Sequence, residues 1–592
     1  MKLKFIKVLF LLLFFACKQQ TNSQALNKPN IIIILTDDQG YGDVGFNGSK
    51  QLKTPNIDQL AKNGAIFTNG YVSYAVCGPS RAGLITGRYQ DKFGYSRNPL
   101  FAPKDASLGL PLEEETLAAA LKKAGYTNMA IGKWHLGAHT TLRPLQRGFD
   151  EFYGFLSGGH KYFPEQLIRK DLSEVGSQFD AYNTKLLRND TRVEETEYLT
   201  DAFSREAVNF VDKNAKKPFF LYLAYNAPHA PLQATEKYLS RYPDIKNKDR
   251  KTYAAMVSAV DDGVGLLLQK LRDLHIDKNT IVFFLSDNGG NENKGAFNGP
   301  LKKGKGSLFE GGIRVPFAVQ WKGTILPNQK FQHPIISLDI FATAVAQANV
   351  TPKNKIDGKN LIPYLSGKNK DAPHETLYWR MFDKKSVAVL NNNFKYIIEK
   401  GGEAGLYNLA KDISEKNNIQ DSLKIKELKS LYEIWNKNNI NPIFYGLGEN
   451  KENSFLELRS FFTVPKIIVS SAIFLGLWLL MQWTEDKPTF FNILSGLLIF
   501  LGFRLLFLVN IRNSKKVNFL ALDITMHFFN SFYVGVMIYN FFVRFDEASC
   551  VNPIFSHALL IAFFLLILFY WCGEYVYYQK KSKINELYNV NI

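Results

Sequence analysis

Three stretches of this chain are apolar without alternation. Residues 30–35 read Asn-Ile-Ile-Ile-Ile-Leu, and 219–225 and 281–285 repeat the texture. A strand with one wet face alternates apolar and polar positions, so an unbroken β-branched run predicts a strand buried on both faces, as in a parallel sheet. A further strand is expected over 130–135. Between these runs the spacing is helical, over 113–124 with Gly125 as a stop, over 200–214 and over 252–274. Strands alternating with helices across 28–345 predict an α/β fold, a large mostly parallel sheet flanked by helices. From about 346 the pieces shorten, with strand-like runs at 376–381, 386–390 and 394–399 and a helix at 422–437. This predicts a smaller α+β C-terminal subdomain over 346–442, then a linker at 443–463 rich in Asn, Gly and Glu.

The two ends have a different texture. Lys2, Lys4 and Lys7 precede a short apolar run that ends at Ala16-Cys17, which is the plan of a signal peptide over 1–17. Cys17 followed by polar residues resembles a bacterial lipoprotein cleavage site, making Cys17 the expected lipidation point. Four apolar stretches near 466–483, 488–510, 517–543 and 554–578 are each long enough to cross a bilayer. Trp478, Trp483, Trp571, Tyr575, Tyr577 and Tyr578 crowd their ends, where amphipathic rings prefer the interface. A four-helix transmembrane unit over 464–578 with a basic tail at 579–592 is the prediction. Basic Arg512, Lys515, Lys516, Lys580, Lys581 and Lys583 favour a cytoplasmic location for both ends of that unit, whereas the signal peptide places 18–463 outside. Long translocated domains override weak charge bias, so the signal peptide decides. The expected protein is exported to a bacterial cell envelope, with its soluble part periplasmic and attached to the membrane.

The formal net charge of +18 changes the list of partners. An anionic membrane or a polyanionic substrate fits it. Nucleic acid is not expected, because the lysines are scattered and no basic run carries interleaved aromatics. Four cysteines, Cys17, Cys77, Cys550 and Cys572, lie in unrelated contexts and do not form a disulfide framework.

The chemistry gathers where the buried strands end. The first runs into Thr36-Asp37-Asp38 and the third into Ser286-Asp287-Asn288. Open α/β sheets bind their ligands at these carboxyl ends. One such pair reads as well as helix capping, but carboxylates from two matched strands repel unless a cation lies among them. Ligands that are all oxygen suit calcium or magnesium. Asn226-Ala227-Pro228-His229 and Gly132-Lys133-Trp134-His135 bring two histidines and a lysine to the same rim. In Cys77-Gly78-Pro79-Ser80-Arg81 the proline suits the first turn of a helix running to Thr86, with Gly87 as its stop. Cys77 then sits at a helix N-terminus, where a thiol is acidified. On residue types alone, a cysteine nucleophile and a structural thiol both remain open.

Cys77-x-Pro79-Ser80-Arg81-x-x-Leu84-x-Thr86-Gly87 resembles the signature of the type I, formylglycine-dependent sulfatases of the alkaline phosphatase superfamily. The resemblance extends over 29–440 through Gly132-Lys133-Trp134-His135, Ala227-Pro228-His229, Ser286-Asp287-Asn288-Gly289 and Gly304-Lys305-Gly306 with Glu310-Gly311-Gly312. It implies that a formylglycine-generating enzyme oxidises Cys77, and that the hydrated aldehyde attacks sulfur with help from Asp287. It also implies one calcium ion on Asp37, Asp38, Asp287, Asn288 and the modified Cys77. Arg81, Lys133 and Lys305 neutralise the sulfate, His229 with Lys305 protonates the leaving alcohol, and His135 deprotonates the second hydroxyl. A sulfated carbohydrate is the implied substrate, with His160 and Tyr162 as loop candidates for sugar contact and Lys302 and Lys303 as a basic approach. Two other readings are a phosphodiesterase or phosphonate monoester hydrolase of the same superfamily, and an inactive membrane-tethered glycan-binding protein.

Overall fold

A computed structural model describes residues 28–169, 180–400, 402 and 404–444. The signal peptide, Cys17, the linker beyond 444 and the four apolar stretches lie outside the described residues. Among the described residues, no helix is long and apolar enough to cross a membrane.

The strands, in chain order, are β1 (Asn30–Thr36), β2 (Ala65–Phe67), β3 (Gly70–Tyr71), β4 (Thr127–Lys133), β5 (Glu151–Phe155), β6 (Leu186–Arg188), β7 (Thr191–Val193) and β8 (Phe219–Ala224). They continue as β9 (Thr280–Ser286), β10 (Phe317–Gln320), β11 (Gln329–Phe331), β12 (Ile335–Ile336), β13 (Thr376–Met381), β14 (Ser386–Asn391), β15 (Phe394–Ile398) and β16 (Ala404–Asn408). A ten-stranded sheet has the order β11-β2-β10-β9-β1-β8-β4-β5-β6-β7. Its middle, β9-β1-β8-β4-β5, is parallel throughout, while β10 and β6 run antiparallel to their neighbours.

The unbroken runs have the predicted cause. Ile31, Ile33 and Leu35 point into one core with Ile281, Phe283 and Leu285, and Ile32 and Ile34 point into the other with Val282 and Phe284. The helices Cys77–Thr86 and Leu338–Gln347 cover the first face, and Pro55–Lys62, Leu199–Asn214 and Lys248–Asp273 cover the second. Both faces are therefore dry, and between Asn30 and Thr36 no position on β1 is polar.

The expected subdomain is a four-stranded antiparallel sheet, β13-β14-β15-β16, with the helix Ser422–Asn436 against it. The boundary expected at 345/346 falls inside the helix Leu338–Gln347. The small sheet also shares a core with the large domain, since Leu377, Trp379 and Ile397 pack with Tyr71, Leu308 and Phe309.

Register places the functional rim. Thr36 pairs with Ser286, Leu35 with Ala224, and Gly132 with Ala224, so the residues after each strand emerge side by side. Gly132 has φ +93, and a Cβ there would lie 2.1 Å from the Ala224 carbonyl oxygen. Gly132→Ala combines a strained backbone with a clash against β8, and is expected to destabilise the protein by on the order of 3 kcal/mol. A denaturant melt matching that of the unsubstituted protein would contradict this.

Candidate active site

Cys77 opens the helix Cys77–Thr86, whose end is set by Gly87 in the left-handed conformation at φ 67. The thiol faces the ends of β1 and β9. Its Sγ is 3.3 Å from Asp37 Oδ1, 3.9 Å from Asp38 Oδ1 and 3.4 Å from Lys305 Nζ. The Gly78 amide donates to Asn98 Oδ1 at 2.8 Å, tying the first turn to the following loop.

Carboxylates and cations alternate around it. Lys133 Nζ lies 2.5 Å from Asp37 Oδ2, and Arg81 donates through Nε to Asp287 Oδ2 at 2.8 Å. Lys305 Nζ lies 2.7 Å from Asp38 Oδ2. Burial opposes the charge on Lys133 and on Lys305, but Asp37 and Asp38 outweigh it, so both ammonium pKa values are raised. Burial likewise pushes against the Asp38 anion, yet Lys305 and His229 bring that carboxyl down to about 2. Asp287 moves the other way, up to about 6, because burial and the Asp37 charge prevail over Arg81.

Cys77 requires a correction. A helix N-terminus predicts an acidified thiol, whereas burial, reinforced by Asp37, pushes this one up. The unmodified thiol is a poor nucleophile here, and its surroundings disfavour the thiolate.

The ligand atoms of Asp37, Asp38, Cys77 and His229 all fall within 4.8 Å of one another, close enough to share a metal ion. Asp287 stands beside that group, with Oδ2 on Arg81 and Oδ1 accepting the Asp38 amide at 3.3 Å. Asn288 Nδ2 lies 2.7 Å from Asp38 Oδ1, and its buried Oδ1 has no partner among the described residues. Turning that amide over would set two oxygens face to face, an arrangement that a cation between them satisfies. The donor set therefore fits a hard divalent ion.

The two histidines differ in access. His135 is buried at φ 57, its Nδ1 lacks a partner among the described residues, and burial with Lys133 and Arg81 holds it well below the usual imidazole range. His229 retains 15% side-chain exposure and Lys305 19%, whereas Asp37, Arg81 and Lys133 have none. The site thus opens to solvent on the His229 and Lys305 side. Burial and Lys305 push His229 down to about 3, so the proton available in this state is on the lysine.

Loop position misleads for two residues. Tyr162, a candidate sugar contact, is fully buried and donates its hydroxyl to the carbonyls of Asn226 and His229 at 2.7 Å each. It braces the segment carrying His229. His160, the other candidate, stacks on Phe155 at 4.5 Å and sets Nδ1 on the Lys161 carbonyl, and burial pushes it down to about 4. Lys302 and Lys303, expected as a basic approach, hold their ammonium groups 3.9 and 4.5 Å from the Phe309 ring centroid, and Lys303 keeps 42% side-chain exposure. The sequence points to no role for Asn98, nor for Asn226 within its rim motif. The Asn226 amide is buried beside Ala227, whose carbonyl accepts the Asp37 amide, and both its polar atoms lack a partner among the described residues.

Comparison with known proteins agrees with this geometry. The family model described as Sulfatase matches residues 29–350, and that described as N-sulphoglucosamine sulphohydrolase, C-terminal, matches 304–437. Human N-acetylgalactosamine-6-sulfatase is 36% identical over 370 residues, covering 59% of this chain and 68% of the relative. Human steryl-sulfatase is 32% identical over 451 residues, covering 64% and 76%. The crystal structure of Ps i-CgsB is 43% identical with a TM-score of 0.68, covering 73% of this chain and 98% of that one. A second crystal structure of Ps i-CgsB contains k-i-k-neocarrahexaose, at 42% identity and the same TM-score of 0.68. The sulfatase match runs over the strand ends and the helix that together surround Cys77, and the chain belongs to the sulfatase family, enzymes that hydrolyse sulfuric esters.

Proposed function

We propose that this sulfatase removes sulfate from a sulfated carbohydrate of the carrageenan type, using formylglycine made from Cys77 by a formylglycine-generating enzyme and one bound calcium ion. The observation that carries the reading is the position of Cys77 Sγ between Lys305 Nζ at 3.4 Å and Asp37 Oδ1 at 3.3 Å. The reacting position thus has a cation for a sulfate oxygen on one side and a carboxylate for a metal on the other.

Formylglycine supplies a hydrated aldehyde with one hydroxyl to attack sulfur and another to release sulfate afterwards. Calcium supplies a fixed positive charge that polarises oxygens set against it. Asp37, Asp38, Asp287 and Asn288 are the residues to hold the ion. Arg81, Lys133 and Lys305 already balance the three carboxylates, so a divalent ion leaves a surplus of two positive charges for an anionic ester. The same three side chains hold the sulfate oxygens as charge moves onto them. Asp287 takes the proton of the attacking hydroxyl. Lys305 Nζ, on the open side, delivers a proton to the departing alcohol oxygen, with His229 Nε2 beside it over Asp38 Oδ2. His135 Nδ1 takes the proton of the second hydroxyl.

Support for the carbohydrate comes from Ps i-CgsB, whose relation to this chain covers nearly all of that protein and whose complex holds a neocarrahexaose. We place the enzyme in the bacterial envelope, exported by residues 1–17, lipid-modified at Cys17 and attached to a membrane through 464–578; the charge and hydropathy pattern supports this. The test is release of inorganic sulfate from carrageenan oligosaccharides, with matched aryl sulfate and aryl phosphate esters in parallel. Sulfate is expected to be released, with kcat/KM favouring the aryl sulfate by at least about 100-fold. A preference for phosphate marks a phosphoesterase, and binding without turnover by correctly oxidised protein marks a glycan-binding protein.

A further inference from the structure

Lys305 lies between two glycines, and Gly306 has φ +79, so its segment has little intrinsic stiffness. Its ammonium group nonetheless has to meet Asp38 and the reacting position together. The large domain holds the segment at the lysine itself, where the Lys305 amide donates to the Gly290 carbonyl at 3.1 Å and the Gly306 amide to the Ala75 carbonyl at 2.8 Å, and further restraint comes from the small C-terminal sheet. Glu399, just after β15, accepts the Leu308 amide on Oε1 at 2.6 Å. Glu415 accepts the Glu310 amide on Oε2 at 2.7 Å. Lys395 on β15 is wholly buried and bridges Glu310 Oε1 at 2.8 Å to Glu415 Oε1 at 2.9 Å. Lys384, in the turn between β13 and β14, donates to the Gly306 carbonyl oxygen. Leu308 and Phe309 pack in the core formed with Trp379 and Ile397 of the same sheet.

Every one of the contacts from the small sheet's side falls on residues 306–310, immediately after the lysine. A buried carboxylate–ammonium–carboxylate triad is a poor source of stability, because desolvation cancels most of its Coulomb gain, and apolar replacements are often neutral. Here it joins Glu310, five residues after Lys305, to two positions of the small sheet's side.

We propose that the C-terminal sheet is a clamp on the Lys305 segment, with Glu399, Lys395, Glu415 and Lys384 as positioning residues for the Lys305 ammonium group. The proposal rests on the reading of Lys305 as a sulfate-binding and proton-donating group. Glu310 extends the clamp into the large domain, since its Oε2 also accepts from Tyr71 at 2.8 Å and pairs with Arg314 at 3.2 Å.

The test is a double-mutant cycle on full-length enzyme carrying oxidised Cys77, with an aryl sulfate substrate. Glu399→Ala is expected to lower kcat by on the order of 10- to 100-fold through misplacement of Lys305, and Glu399→Gln, which keeps an acceptor for the Leu308 amide, to restore most of it. In a Lys305→Ala background, Glu399→Ala is expected to change kcat by no more than about 2-fold, because the group it positions is gone. Losses that multiply in the double variant overturn the clamp. Should Glu399→Ala fail to fold, Lys384→Met, at a half-buried turn, is put through the same cycle with the same expected outcome. If Lys305→Ala alone leaves kcat unchanged, it is the assigned role of Lys305 that fails, a result distinct from failure of the clamp.

Discussion

Cys77→Ala is expected to lower sulfate-ester turnover by about 10⁴-fold or more while leaving the melting temperature close to that of the unsubstituted protein. Removal of a nucleophile costs losses of this size even where binding and charge stabilisation survive. The fold tolerates the change because Cys77 Sγ contributes only weak contacts to carboxylates and a lysine. Cys77→Ser sharpens the test. A serine hydroxyl can attack sulfur once, yet the resulting ester has no second hydroxyl to expel sulfate. It is expected to give at most a single turnover that stalls, measured as a stoichiometric burst of released alcohol. Steady turnover by the serine variant would refute the need for oxidation. Turnover by unmodified Cys77 is not expected either, since burial and Asp37 hold the thiol protonated.

Removal of divalent ions is expected to lower kcat/KM by about 10³-fold, the scale of a metal's contribution to charge stabilisation. A second readout does not depend on activity. An ion that binds only the folded state stabilises it by about 2.7 kcal/mol at one hundred times its Kd, so calcium is expected to raise the melting temperature. Asp38→Asn is expected to abolish both effects. The substitution keeps the side-chain shape but removes the charge on which Lys305 Nζ rests at 2.7 Å and to which Asn288 donates at 2.7 Å. A calcium-dependent melt that survives in Asp38→Asn would place the ion elsewhere.

Much of the rim was legible in the sequence because its physics is local. The runs at 31–35, 219–224 and 281–285 are uninterrupted because each is buried on both faces, and Asp37 and Asp287 are the first residues past the ends of β1 and β9. The start and stop of the helix at Cys77 follow from Pro79 and Gly87, and the observed helix has those bounds. Strands such as β3 and β12, two residues each, are too short to carry a period. The misread residues depend on direction and environment, which spacing does not encode. Tyr162 lies in a loop yet points inward, and His160 stacks on Phe155. The acidity of Cys77 depends on its burial and on Asp37, forty positions away in the chain, and both outweigh the helix terminus visible in the sequence. The clamp on Lys305 likewise joins residues some ninety positions apart.

The most direct test of the account is a peptide mass spectrum covering Cys77, taken on enzyme from a host that oxidises such cysteines and paired with its specific activity. The account predicts a residue that has lost sulfur and two hydrogens and gained one oxygen, in a fraction that tracks activity. Fully active enzyme with an intact thiol at Cys77 would contradict it.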